Sequence, residues 1–167
     1  MAGRAPRTAS RPPSTTAGRF AVVAARFNEA LSKKLADGAV AALGEEGVGP
    51  ERVDVHWVPG SFELPLAAMT LARTRRYTAI VCVGVVIRGA TPHFEYVAGA
   101  AAQGLSRVAL ETGVPVTFGV ITSLTEEQAW ERVGGRVGHR GEEAARAALE
   151  MARWMREARA PRRRGRR

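Results

Sequence analysis

The chain has 167 residues, 46% of them hydrophobic, and a formal net charge of +9. That length and apolar content suit one domain with its own core, and no apolar run reaches the ~18 residues of a membrane span. The excess charge lies in two tails: Arg4, Arg7, Arg11 and Arg19 in residues 1–19, and Arg162, Arg163, Arg164, Arg166 and Arg167 in residues 162–167, with no acid in either.

The body between the tails is therefore neutral. A nucleic-acid-binding domain carries its basic face on the domain itself, so no specific nucleic acid is expected as a partner. The tails are rich in Arg, Pro, Ser and Gly and are expected to be disordered. This divides the chain into a basic tail (1–18), one domain (19–159) and an Arg-rich tail (160–167). The tails read as solubilising segments or as a binding site for an anionic cargo. The first 19 residues also have the Arg- and Ser-rich, acid-poor composition of a transit peptide, but they are short and carry Pro12 and Pro13. No apolar stretch suggests a secretory leader. The single cysteine, Cys82, lies in AIVCVGVVI and reads as a buried small hydrophobe. A reducing cytoplasm is the expected compartment.

FAVVAARF (20–27) is a short apolar run and the first predicted strand. Asn28 can cap a helix, and Leu31, Leu35, Ala39 and Ala42 recur at helical spacing after it. Gly44 and Gly47 should end that helix. Val53, Val55 and Trp57 alternate as in a strand. Pro59, Gly60 and Ser61 then turn into a helix over FELPLAAMTLAR. Residues 80–87 are apolar without alternation, which suits a central parallel strand covered on both faces. The spacing predicts a long helix over 93–112, a fourth strand over VPVTFGVI (114–121), a short helix over 125–133 and a last helix from Gly141 to about Arg159. The order βαβαβαβαα implies a three-layer α/β/α sandwich around a four-stranded parallel sheet, flavodoxin-like in outline.

In such sheets ligands bind at the carboxyl ends of the strands. The unusual residues lie there: Arg26, Phe27 and Asn28 after the first strand, 59–63 after the second, 88–93 after the third and Ser123 after the fourth. Thr91 suits an N-cap and Pro92 a first helical position, with Gly89 and Ala90 just before. Free N–H groups at such a start suit an anion such as phosphate, although many helices begin this way without a ligand. The partial charge there favours neutral imidazole at His93, a possible proton carrier; a surface histidine fits equally. Phe27 could stack on a heterocycle or fill the core. Glu63 could accept from hydroxyl groups or simply favour its helix end. Arg132 and Arg136 would share a face if the short helix continued, ready for phosphate or merely solvated. His56, His93 and His139 lack ligand spacing, so no metal site is expected.

Five segments, RFNEALSKKLADGAV, DVHWVPGSFELPLAA, YTAIVCVGVVIRGATPHFEYV, GVPVTFGVIT and EQAWERVGGRVGHRGEEAARAALEMA, carry a resemblance in order and spacing over residues 19 to 156. The chain resembles the 6,7-dimethyl-8-ribityllumazine synthases, transferases of the penultimate step of riboflavin synthesis. The resemblance implies condensation of 5-amino-6-ribitylaminouracil with 3,4-dihydroxy-2-butanone 4-phosphate, with no cofactor. It implies that Phe27 stacks on the pyrimidine, that Ser61, Phe62 and Glu63 hold it with Glu63 on the ribityl hydroxyls, and that Val85, Val86 and Ile87 bind its edge through backbone. It further implies that Ala90 and Thr91 hold the phosphate, that His93 moves protons, and that Phe118 and Arg132 arrive from a neighbouring subunit. Arg136 stands where some relatives carry lysine, and Val85 where some carry a hydroxyl residue. Assembly into pentamers, and from twelve pentamers into an icosahedral shell, is the implied oligomer, with riboflavin synthase as a possible partner. A flavin- or pteridine-binding protein, or a cargo-enclosing shell on the same scaffold, is the alternative. A phosphate-receiving signalling domain would need an aspartate at a strand end, and the sequence has none there.

Overall fold

The computed structural model describes residues 18–161. The expected tails, and the transit-peptide reading of residues 1–19, fall almost wholly outside the described residues. Four parallel strands, β1 (Arg19–Ala25), β2 (Val53–Val58), β3 (Tyr77–Ile87) and β4 (Val116–Ser123), form one sheet in the order β2-β1-β3-β4. Helices α1 (Glu29–Glu45) and α5 (Arg140–Arg159) cover one face, and α2 (Leu64–Arg73) and α3 (His93–Thr112) the other. This is the α/β architecture expected from the alternation of elements.

The two cores follow from strand alternation. Phe20, Val22 and Ala24 of β1 and Val81, Val83 and Val85 of β3 face α1 and α5. Ala21 and Val23 of β1 and Ile80 and Cys82 of β3 face α2 and α3. Leu35, Leu43 and Leu149 are buried on the first side and Leu64 and Leu105 on the second, each contributing about 1.5–3 kcal/mol by burial. Cys82 is fully buried, and burial pushes its thiol up, so it is unreactive filler as the sequence suggests. On the edge strand β2, Val55 and Trp57 alternate as expected, yet they remain 42% and 40% exposed.

Several boundaries differ from expectation. Asn28 precedes α1 but does not cap it with its side chain. α1 runs through Gly44 to Glu45, and Gly47, with φ +89, comes after its end. β4 begins two residues later than expected, because Pro115 still only accepts from the Ile80 amide, at 2.8 Å. The short helix α4 is Glu126–Trp130, capped by Thr125, which accepts from the Gln128 amide at 3.3 Å. It does not continue. A small antiparallel hairpin follows, β5 (Val133–Gly135) with β6 (Gly138–His139). Arg132 and Arg136 therefore share no helical face; Arg136 pairs with Glu131 at 2.8 Å.

At its amino end the sheet is tied by a charged cluster. Arg19 donates from Nε and Nη2 to the two oxygens of Asp54 at 3.2 and 2.8 Å, and the Tyr77 hydroxyl donates to Oδ2 at 2.8 Å. The hydrogen bonds from Arg19, then from Tyr77, hold the Asp54 carboxyl down at about 2. A carboxylate depressed in the folded state adds stability above its unfolded value near ~4 and loses it as pH falls through the folded value. Asp54→Asn should thus be less stable than the parent near neutrality, with the gap closing between pH ~4 and ~2. Paired denaturation curves across that range check this; a gap independent of pH would contradict it.

Candidate functional site

The chain leaves β1 for β2 on one side and then crosses to β3 on the other. The sheet order thus reverses between β1 and β3, the position where an open parallel sheet leaves a crevice at its carboxyl ends. A cleft of about 680 Å³ lies there, within the range of small-molecule sites. Phe27 enters from the end of β1, and Val85, Val86 and Ile87 from the end of β3. The 3₁₀ turn Ser61–Glu63 enters ahead of α2, and His93 stands as the first residue of α3.

The Phe27 ring is 72% exposed and Phe62 60% exposed. Neither fills the core, so the reading of Phe27 as a core residue is corrected: its face is open to a planar ligand. The Ser61 hydroxyl is the opposite case. It is buried in the cleft floor without a hydrogen-bond partner, and such a group is rare unless a ligand or water completes it. It approaches β3 because residue 84 is glycine: a Cβ there would lie 2.6 Å from Ser61 Oγ and 3.2 Å from Ala25 Cβ.

The turn before α3 departs from expectation in detail. Pro92, not Thr91, occupies the cap position, and no side chain caps the helix. The Glu95 amide donates to the Pro92 carbonyl at 3.0 Å, and Gly89, Thr91 and His93 line the cleft beside this helix start, which no side chain caps. That supports the anion reading through the helix dipole. Ala90 is exposed and is not among the lining residues, although both its neighbours are. Arg88 takes the Ser123 carbonyl with its backbone amide at 2.9 Å and extends β3–β4 pairing; its side chain does not line the cleft.

Phe118 and Arg132 lie apart from these residues. They line a separate recess of about 220 Å³ beside edge strand β4, with Thr122 and Arg140. Phe118 is 41% exposed. Arg132 Nη1 donates to the Gln128 carbonyl at 2.7 Å, which fixes the guanidinium while leaving its other N–H groups free for an anion. Within one chain they do not meet the cleft.

The remaining histidines have structural duties. His56 Nε2 lies 3.2 Å from the Tyr77 hydroxyl. His139 Nδ1 accepts from the Glu142 amide at 3.3 Å and caps α5. Among the described residues no group of three or more His, Cys, Asp or Glu is placed to hold a metal ion.

Sequence reasoning missed Tyr96, Val97 and Phe94, which line the cleft. Tyr96 and Val97 stand three and four residues after His93, so helical spacing from His93 would have found them. It also misjudged Asn28. This residue is left-handed, φ 58, and its Nδ2 donates to the Val85 carbonyl at 3.1 Å. It ties the β1–α1 turn to the β3 end that lines the cleft. Asparagine tolerates this backbone better than most residues. Asn28→Ala should cost about 1–3 kcal/mol from strain and the lost bond, and Asn28→Gly less, because only the bond is lost. Chemical denaturation of both variants checks the order.

A family model described as 6,7-dimethyl-8-ribityllumazine synthase matches residues 17–156. That span contains every residue of the cleft and of the recess beside β4, and it covers most of the chain: the protein belongs to the 6,7-dimethyl-8-ribityllumazine synthase family.

Proposed function

We propose that the protein condenses 5-amino-6-(D-ribitylamino)uracil with 3,4-dihydroxy-2-butanone 4-phosphate to 6,7-dimethyl-8-ribityllumazine, releasing phosphate and water. The observation that carries this reading is the convergence in one cleft of an open aromatic face, an unpartnered serine hydroxyl, a carboxylate and a histidine at a helix start. A planar pyrimidine would lie against Phe27, with its edge on the backbone of Val85, Val86 and Ile87. Glu63 would accept from ribityl hydroxyls, and Ser61 would donate or accept at the floor. Ala90 and Thr91 would present the helix start to the phosphate, Ala90 through backbone alone. The amine attacks the ketone to form an imine and water leaves. Elimination then releases phosphate, and condensation of the ribityl-bearing nitrogen on the remaining carbonyl closes the ring with loss of a second water. His93 would carry protons between these steps.

The recess holding Phe118 and Arg132 would complete the site of a second copy, Arg132 meeting the phosphate. This arrangement suits a homopentamer and its assembly into a shell of twelve pentamers in the cytoplasm. The exposed faces of β2 and β4 support such packing, since edge strands with apolar side chains such as Val55, Trp57 and Phe118 favour burial against another chain.

The test mixes purified protein with both substrates and follows lumazine by absorbance and fluorescence. Formation well above the spontaneous rate supports the reading; a rate equal to background from an assembled protein overturns it. Binding of flavin or pteridine without turnover would leave the binding-protein alternative.

A further inference from the structure

A second cavity, of about 560 Å³, lies at the opposite, amino end of the sheet. Tyr77 at the start of β3, Val114 on the approach to β4 and Met155 of α5 give it an apolar floor. Three guanidinium groups border it. Arg75 comes from the turn between α2 and β3, where its backbone is left-handed at φ 56. Arg156 and Arg159 come from the last turn of α5 and share a face by their i, i+3 spacing.

These three cations lack the carboxylate partners that several helix arginines have; Lys34 and Arg73 lack one too, but neither borders the cavity. Arg107 pairs with Glu111, Arg140 with Glu143, Arg146 with Glu142 and Arg153 with Glu46. Among the described residues no carboxylate pairs with Arg75, Arg156 or Arg159. Arg159 makes one long bond, from Nη2 to the Gly113 carbonyl at 3.3 Å. The carboxylate bonded to Tyr77, that of Asp54, is already held by Arg19. Like charges converging on one recess repel each other, and an anion relieves that repulsion. The planar fork of arginine matches phosphate oxygens, and the apolar floor suits the uncharged body of the same ligand.

We propose that this cavity is a second ligand site, for an organic phosphate of mononucleotide size with a planar or apolar body. None of its residues lines the cleft, so the proposal does not depend on the reaction proposed above.

AMP is a suitable probe, titrated calorimetrically into the full-length protein, with inorganic phosphate as competitor. Binding should weaken about tenfold in Arg75→Gln and about a hundredfold in the Arg156→Gln, Arg159→Gln double variant. Inorganic phosphate should compete weakly because it leaves the floor unused. Lumazine formation should be unchanged in these variants. All three side chains are exposed, and circular dichroism will show that the variants are folded. Three outcomes overturn the proposal: no AMP binding by the parent protein, loss in Arg132→Gln with the cavity variants unaffected, or loss only when residues 162–167 are removed. The second would put the anion at the recess beside β4, and the third on the tail.

Discussion

Arg132→Ala is expected to lower kcat/KM for lumazine formation about a hundredfold or more, with the protein still folded. A guanidinium that meets a phosphate in a partly dry site leaves that charge unpaired when it is removed, and such losses run to about 2–5 kcal/mol. Arg132 is already aimed by its bond to the Gln128 carbonyl at 2.7 Å, so little ordering cost offsets the gain. Arg132→Lys should recover part of the loss, because charge returns without the fork. His93→Ala should also fall, by about a hundredfold or more if it carries protons in the slow step. The informative experiment mixes the two. Arg132 and His93 lie in different recesses of one chain, so a site shared between copies can be rebuilt from one good half of each variant. Co-assembled Arg132→Ala and His93→Ala chains should regain activity that neither has alone. Absence of recovery in verified mixed assemblies would sink the shared site.

Gly141→Ala is expected to destabilise the fold by about 1–3 kcal/mol, although alanine is the better helix former. Gly141 is buried near the start of α5, where that helix crosses α1. A Cβ there would press on the Leu35 carbonyl oxygen and lie 2.9 Å from its carbon. That neighbour is helix backbone and cannot rotate away, so the helices must separate. A fall in Tm of roughly 3–9 °C follows at fixed protein concentration. Gly44→Ala is the matched control. Gly44 is also helical, but a Cβ there meets nothing within 4 Å, and stability should rise by about 0.5–1 kcal/mol. Equal effects at the two positions would show that the crossing yields without cost.

The contrast between these glycines shows how far the chain can be read without coordinates. Gly44 read as a helix end and Gly141 as a helix start, yet both lie inside helices and only Gly141 lies against a second one. The same holds for Ser61 and Gly84. Neither residue announces the other, yet the missing Cβ of Gly84 lets the hydroxyl sink into the cleft floor. Asn28 illustrates a wrong reason at a right place. Its residue type suggested a cap, whereas its side chain instead ties the turn to Val85 across 57 residues. Arg132 and Arg136 fail for a related reason: extending the helical spacing assumed that α4 continues, and Gly134 and Gly138, at φ +102 and +104, turn the chain into a hairpin instead.

What the sequence determined by itself was the order of elements and the set of residues at the strand ends. Those follow from local periodicity, from runs such as Ile80 to Ile87, and from Gly and Pro at the turns, all of which act over a few residues. What only the tertiary structure decided was which of those residues meet. The order β2-β1-β3-β4 sets β1 beside β3 and opens the cleft between their ends, and the same order leaves Phe118 on an outer strand, away from it. Strand order arises from packing two apolar faces against helices distant in sequence, and no local pattern encodes that choice.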